Sequence, residues 1–186
     1  QANAQLGTSV AIDGDWALVG APGSGRAYIL RRSDSDPSDW VFVTELDNGS
    51  NYVGDLFGQS VSLQNGIAIV GAPNDGTKGN NAGAAYLFVQ SATDPALWTK
   101  MKNVFASDAS EAANFGKSLK VKGQTLLVGA TGASAAYVFG QNEGGTNNWG
   151  QTQKLIASDA NAGSEFGLSL DFDQQTAVVG APNTGA

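Results

Sequence analysis

The chain has 186 residues, of which 41% are hydrophobic and 15% charged, and its net charge at pH 7 is −7. It contains no cysteine and no histidine, which excludes disulfides, thiol catalysis, imidazole metal ligands and the Ser-His-Asp triad. The acidic balance argues against nucleic-acid binding. No apolar run reaches the roughly 18 residues of a membrane span, so membrane insertion is not expected either.

Two short motifs recur along the chain in a shared register. The first is Phe-Gly, or Leu-Gly in its first copy, and the second is Val-Gly-Ala. In both motifs the successive glycines are separated by 51, 58 and 51 residues. Units of about 50 residues have the length of one β-propeller blade. The first motif stands at 6–7, 57–58, 115–116 and 166–167, and the second at 19–21, 70–72, 128–130 and 179–181.

Each unit predicts four short strands in the same order. In the second unit, an alternating strand at 60–63 precedes Asn65-Gly66, a dipeptide whose preference for positive φ predicts a tight hairpin. A continuous apolar strand follows at 67–70. The third strand is an Ala-Ala-Tyr segment at 84–88, and the fourth begins at Trp98.

The sizes of the repeated side chains suggest where each one packs. Large aromatics such as Phe57, Tyr86 and Trp98 are expected to fill the space between neighbouring blades. The small residues of Val-Gly-Ala and Ala-Ala-Tyr are expected where inner strands crowd toward a central channel. We therefore interpret both sets as framework rather than as ligand contacts.

The predicted fold is all-β: a β-propeller of four-stranded antiparallel blades. About three and a half blades are present, too few to close a ring of ordinary size. An open ring leaves strand edges uncovered. We therefore expect either a segment of a longer chain, which we favour, or several copies that complete one another. The predicted blades span residues 6–56, 57–114 and 115–165, with the first two strands of a fourth blade at 166–186.

The paired Phe-Gly and Val-Gly-Ala motifs resemble the FG-GAP repeats of integrin α-subunit heads and many extracellular proteins. The resemblance implies a propeller used in adhesion, or in protein or glycan recognition, at the cell surface or outside the cell. Many FG-GAP repeats also carry a calcium loop between their first two strands. The corresponding segments of this chain are short turns with too few oxygen ligands, so neither a metal nor a cofactor is expected there. These turns are at 13–15, 64–66, 122–124 and 173–175.

Candidate binding residues lie in the loops between strands two and three and between consecutive units, which share one face of a propeller. One interpretation is a polar surface for a glycan or protein, with a weak calcium site at Asp75 and Asn80 as a variant. The competing interpretation is turn chemistry, because Asn, Asp and Ser bond to their own backbone. The recurring Asp108 and Asp159 are expected to brace the turn into the next blade. The candidates are Asn74, Asp75, Lys78, Asn80, Asn81, Asp108, Glu111, Asp159 and Asn161.

Asn48 begins an Asn-Gly-Ser tripeptide, the acceptor sequence for N-glycosylation. The sequon is relevant to glycosylation only if the protein is secreted from a eukaryotic cell.

Two classes of function remain after these exclusions. The first is a non-catalytic extracellular or cell-surface module for adhesion, recognition or structural assembly. Its partners would be a protein or glycan ligand, together with further repeats or other copies. The alternative is a carbohydrate-active propeller enzyme that uses paired carboxylates. The 17 acidic residues supply such pairs by composition, but none stands apart from the repeat pattern.

Overall fold

The structure is a computed structural model that describes residues 3–50, 52–159, 163–173 and 176–183. Its strands form three four-stranded sheets and one two-stranded sheet, and within each sheet consecutive strands pair antiparallel. The first blade contains β1 (Ser9–Asp13), β2 (Trp16–Ala21), β3 (Arg26–Arg32) and β4 (Trp40–Leu46). The second contains β5 (Ser60–Gln64), β6 (Ile67–Ala72), β7 (Ala84–Gln90) and β8 (Trp98–Val104). The third contains β9 (Phe115–Lys122), β10 (Thr125–Ala130), β11 (Ala135–Gly140) and β12 (Gly150–Leu155), and the fourth only β13 (Leu170–Asp173) and β14 (Thr176–Val179).

This arrangement confirms the predicted all-β fold of propeller blades, with about three and a half blades present. The helical segments of the described residues are three single 3₁₀ turns, at Pro22–Ser24, Val53–Asp55 and Thr131–Ala133. None of them has the length or apolar character needed to cross a membrane. The predicted limits of the individual blades stay predictions.

The hairpins between the first two strands of each complete blade have two-residue loops. Asn65 and Gly66 have φ values of 49° and 71°, as the Asn-Gly signal predicts. In the first and third blades, Gly14 and Gly123 occupy the first loop position with φ values of 57° and 60°. Loops this short bring the strands together directly and leave no room for a calcium-binding segment.

The first strand of every blade lies innermost. β1, β5, β9 and β13 line an open cleft of about 900 Å³, which occupies the position of the propeller's central channel. Two ion pairs join neighbouring blades beside this cleft: Lys120 with Asp171 at 3.4 Å and Lys122 with Asp173 at 2.7 Å.

The hydrophobic core lies between blades, as the aromatic pattern predicts. Phe57 is buried against Tyr86 with ring centroids 5.4 Å apart, and the rings meet edge to face. The same pair returns one repeat later as Phe115 and Tyr137, at 5.5 Å. The aromatics of the repeat are therefore packing residues. Trp149, which precedes β12 by one residue, is also buried.

The glycines of Val-Gly-Ala are small for a different reason from the one expected. The α-carbons of Gly20, Gly71 and Gly129 face the backbone of the next blade, whereas the channel is lined by the first strands. A β-carbon added to Gly71 would lie 2.1 Å from the carbonyl oxygen of Gly116, and one added to Gly20 would lie 2.0 Å from that of Gly58. The two repeat motifs thus meet across each described blade boundary, where the Val-Gly-Ala glycine leaves room for the Phe-Gly carbonyl.

A serine hydroxyl completes each of these boundaries. The serine two residues after the Phe-Gly glycine donates to the corresponding glycine carbonyl of the next blade. The distances are 2.9 Å for Ser9 to Gly58, 2.7 Å for Ser60 to Gly116 and 2.6 Å for Ser118 to Gly167. We call these contacts the inter-blade serine bonds. They recur at all three described boundaries, which makes them part of the repeat itself.

Candidate functional site: the long loop of the second blade

The loop between the second and third strands differs in length between blades. In the first and third blades, the paired residues Gly20 and Ala27, and Gly129 and Ala136, are seven positions apart. In the second blade, the equivalent pair is Gly71 and Ala85, fourteen positions apart. The seven extra residues account for the whole difference between the repeat spacings of 58 and 51. Residues 73–83 therefore form a loop that carries a seven-residue insertion on an otherwise regular scaffold, and we call it the blade-2 loop.

Asp75 holds the base of the blade-2 loop together. Its side chain is buried, and one carboxylate oxygen accepts a hydrogen bond from the backbone N–H of Thr77 at 2.8 Å. The other oxygen accepts the hydroxyl proton of Tyr86 on β7. Burial and this hydrogen bond raise the pKa of Tyr86 far above its ordinary value. Both oxygens of Asp75 are thus used inside the protein.

A second buried carboxylate, Asp55, lies beside this base. It accepts a hydrogen bond of 2.9 Å from the side-chain amide of Asn48. Burial raises the pKa of Asp55 above its ordinary 3.8. The nearby Asp75 carboxylate raises it further, while the Asn48 bond opposes the shift. The interactions of Asn48, Asp55 and Asp75 join the segment between the first two blades to the base of the blade-2 loop.

The far side of the blade-2 loop is hydrogen-bonded to the segment that leads into the third blade. The carbonyls of Asn80, Asn81 and Ala82 accept backbone N–H bonds from Ala112, Asn114 and Phe115 at 2.8 to 3.0 Å. The Asn114 side chain also reaches toward Pro73 and Asn74. Because both of its ends are fixed to the scaffold, the loop presents its remaining residues in a defined place.

The exposed part of the blade-2 loop is polar. Gly76, Thr77, Lys78 and Asn80 are exposed, and the Lys78 ammonium lies 5.4 Å from the centre of the Phe105 ring. Glu111 is exposed next to Gly79. The structure places the following candidate residues close together: Asn74, Asp75, Lys78, Asn80, Asn81 and Glu111. Within this group, Lys78, Asn80 and Glu111 have side chains available to a ligand, whereas Asp75 does not.

Comparison with known protein families accounts for this architecture. The FG-GAP repeat profile matches residues 1–53, 40–88, 98–145 and 149–186. The chain belongs to the FG-GAP repeat family. It is also 30% identical to integrin alpha-3 of Cricetulus griseus over 209 aligned residues, which cover 97% of this chain and 19% of that protein. The chain thus spans about a fifth of the length of this curated relative.

In the next FG-GAP unit, a different acidic residue accepts the hydrogen bond of the equivalent tyrosine. Asp108 accepts the hydroxyl proton of Tyr137 at 2.9 Å and a bond from the Lys154 ammonium at 2.6 Å. The bond from Lys154 lowers the pKa of Asp108 below its ordinary 3.8. Asp108 therefore bonds the linker to the third blade. Asp159 occupies the equivalent position one repeat later and is exposed, while Asn161 lies outside the described residues.

The residues of the FG-GAP chain do not favour the weak calcium site at Asp75 and Asn80. Both oxygens of Asp75 accept protein hydrogen bonds, and Asn80 contributes its backbone to the neighbouring segment. Within residues 3–50, 52–159, 163–173 and 176–183, no group of three or more acidic, histidine or cysteine side chains is placed to hold a metal ion.

Asp55 and Asp108 are expected to give the fold opposite pH dependences. A raised pKa means that Asp55 stabilises the fold below its ordinary pKa and loses that contribution as the pH rises. A lowered pKa means that Asp108 stabilises above its ordinary pKa and loses that contribution as the pH falls. As the pH rises from about 3 to 7, the Asp55→Asn variant should therefore gain stability relative to the wild type, and the Asp108→Asn variant should lose it. Urea unfolding at both pH values measures this, and parallel trends in the two variants would contradict it.

The Asn48 sequon is expected to carry no glycan in the folded protein. Asn48 is only 8% exposed, its amide nitrogen donates to Asp55, and its oxygen accepts the backbone N–H of Ser50. A glycan on that nitrogen would break the bond to the buried carboxylate. Intact mass of chain secreted from a eukaryotic host, before and after glycosidase treatment, should be unchanged. Leu97→Asn provides the control, because it creates a sequon with Thr99 at an exposed position.

Proposed function

We propose that this chain is a non-catalytic propeller module of a cell-surface or extracellular protein, which binds a protein or glycan ligand through the blade-2 loop. One observation carries the proposal: the enlarged blade-2 loop, residues 73–83, is held at both ends and places exposed polar side chains on a rigid scaffold. Membership of the FG-GAP family and similarity to an integrin α subunit support a role in adhesion at the cell surface.

The proposed module works within a larger propeller. Further repeats in the same polypeptide, or other copies of the chain, would cover its open blades. The extent of the similarity supports the longer polypeptide, because the match occupies 19% of an integrin α subunit.

The carbohydrate-active alternative receives no comparable support. Asp55 and Asp75 are buried and interact, and Asp55 has a raised pKa, as a catalytic acid would. Neither residue lines the central cleft, and their oxygens are bonded to Asn48, Thr77 and Tyr86. These contacts occupy three of the four carboxylate oxygens, so the structure favours a structural role for the pair.

The test is a binding screen of the purified chain against a glycan array and an array of secreted and cell-surface ectodomains. A specific ligand should be retained, and Lys78→Ala should weaken its binding at least about tenfold, the loss expected for one charge-assisted hydrogen bond. Lys122→Ala is the matched control, because that lysine lies at the hairpin end of the third blade, opposite the loop face. No specific binding, or equal losses in the two variants, would overturn the proposal.

A further inference from the structure

A groove lies between the first and second blades, at their hairpin end. The first blade contributes Trp16, Arg31 and Val41 to it. The loop between β7 and β8 of the second blade contributes residues 94–96, and the rings of Trp16 and Trp98 meet edge to face at 5.9 Å across the boundary. Both walls are therefore formed by neighbouring blades that the structure describes. The volume of the groove, about 590 Å³, is in the range of small-ligand sites.

The first blade has unusual residues at this groove. There, Trp16 on β2 pairs with Arg31 on β3. The same two places in the other complete blades hold different pairs: Ile67 with Val89, and Thr125 with Gly140. A blade can thus be built without an indole or a guanidinium group at this place. Trp16 and Arg31 are features of the groove and not of the repeat framework.

The groove offers apolar surface beside a hydrogen-bond donor. Trp16 is only partly buried, and the Arg31 guanidinium lies 6.0 Å from the centre of its ring. Asp34 bonds that guanidinium at 2.8 Å. Val41, which is 54% exposed, and Val43 extend the apolar surface next to the ring. A ligand here would meet an aromatic ring, aliphatic groups and N–H donors together.

The charges that line the groove cancel. Two guanidinium groups, those of Arg31 and Arg32, are present together with the carboxylates of Asp34 and Asp94. An anion would meet both carboxylates and a cation both guanidinium groups, so neither gains from the site as a whole. Hydroxyl groups, in contrast, donate to carboxylates and accept from guanidinium groups. The chemistry therefore fits a neutral ligand rich in hydroxyls.

We propose that this groove binds a neutral saccharide, with one pyranose ring against the Trp16 indole. The C–H groups of a pyranose face are weakly positive and pack on the electron-rich face of an aromatic ring. Arg31 donates to the sugar hydroxyls and Asp94 accepts from them. One Asp94 oxygen also accepts the backbone N–H of Ala96 at 3.0 Å, which orients the carboxylate. The groove and the blade-2 loop lie at opposite ends of the blades, so this site goes beyond the proposed function and is independent of it.

The purified chain is tested on an array of neutral oligosaccharides together with their sulfated and sialylated forms. Neutral glycans should be retained, and the anionic forms should bind no better. The neutral glycan of highest affinity is then titrated by calorimetry. Arg31→Ala should weaken its binding at least about tenfold, the loss expected for one charge-assisted hydrogen bond. In Trp16→Phe, which keeps an aromatic ring beside Trp98, the saccharide should no longer change the tryptophan emission as it does in the wild type.

The controls separate this site from the rest of the chain. Arg26→Ala is the matched control for Arg31→Ala, because Arg26 lies at the other end of the same strand. It should leave saccharide binding unchanged, and so should Lys78→Ala in the blade-2 loop. Circular dichroism should show that all variants are folded. The proposal is overturned if no neutral glycan binds, if anionic forms bind more tightly, or if Arg31→Ala and Arg26→Ala lose binding equally. It is also overturned if every retained glycan is lost with Lys78→Ala and not with Arg31→Ala, an outcome that would leave the proposed function intact.

Discussion

Replacement of Phe57 by alanine is expected to destabilise the fold by about 3–5 kcal/mol, the cost of removing a buried aromatic side chain and leaving a cavity. The Phe57 ring is almost completely buried between the first two blades, with the rings of Tyr86 and Phe88 at 5.4 and 6.2 Å. No neighbouring side chain can collapse into the space without leaving its own packing. Urea unfolding followed by tryptophan fluorescence measures the loss.

The repeat supplies a matched control for Phe57. Leu6 occupies the same position in the first blade, but its side chain is mostly exposed. Leu6→Ala should therefore change the unfolding free energy by no more than about 0.5 kcal/mol, the usual range for an exposed site. The measurement is made at a concentration where the chain is monomeric. Similar losses in the two variants would show that the first blade is covered in a way that the structure does not describe.

Replacement of Gly71 by alanine is expected to destabilise the fold by about 2–3 kcal/mol, near the upper end of the range for overpacking. The new methyl group would lie 2.1 Å from the carbonyl oxygen of Gly116 and 2.3 Å from the hydroxyl of Ser60. The first of these atoms belongs to the backbone of the next blade, so relief requires the blades to separate. This cost exceeds the roughly 0.4–1 kcal/mol that alanine gains by restricting the unfolded chain.

Gly76→Ala is the control for this prediction. Gly76 lies in the blade-2 loop, with no atom within 4 Å of an added β-carbon and no positive φ. Alanine should therefore be neutral there, or stabilising by up to about 1 kcal/mol. Differential scanning calorimetry of both variants compares the effects directly. A Gly71→Ala variant as stable as the wild type would show that the blade boundary is looser than its glycine contacts indicate.

The strands, hairpins and blade order could be predicted from the sequence because they depend on local patterns. Asn65 and Gly66 favour positive φ wherever they occur together, and the alternation in β5 determines which side chains share a face. The fixed interval between two motifs requires the units to stack in the same way. The length of the blade-2 loop is likewise visible in the interval of 58 residues.

The roles of individual polar residues could not be predicted in the same way. The sequence suggests that Asp75 is a loop residue available to a ligand. In the structure, its carboxylate instead accepts the hydroxyl proton of Tyr86 on β7 inside the protein. Asp55 belongs to neither repeat motif, and its role is seen only from its hydrogen bond with Asn48 in the structure. The same contact involves the buried side-chain amide of Asn48, which the Asn-Gly-Ser tripeptide alone would predict to be a glycan acceptor. Each outcome depends on side-chain contacts that the repeat motifs do not encode.

By itself, the sequence determined that this protein is an array of FG-GAP blades, because a repeated local pattern requires a repeated local structure. Only the tertiary structure decided which of the repeated residues are buried as framework and which are exposed. Gly71 is small because the Gly116 carbonyl of another blade lies against it, and Leu6 is exposed although its equivalent Phe57 is buried. Identical motif positions differ in this way because burial is a property of the neighbouring blade, and the motif does not encode whether that neighbour is present.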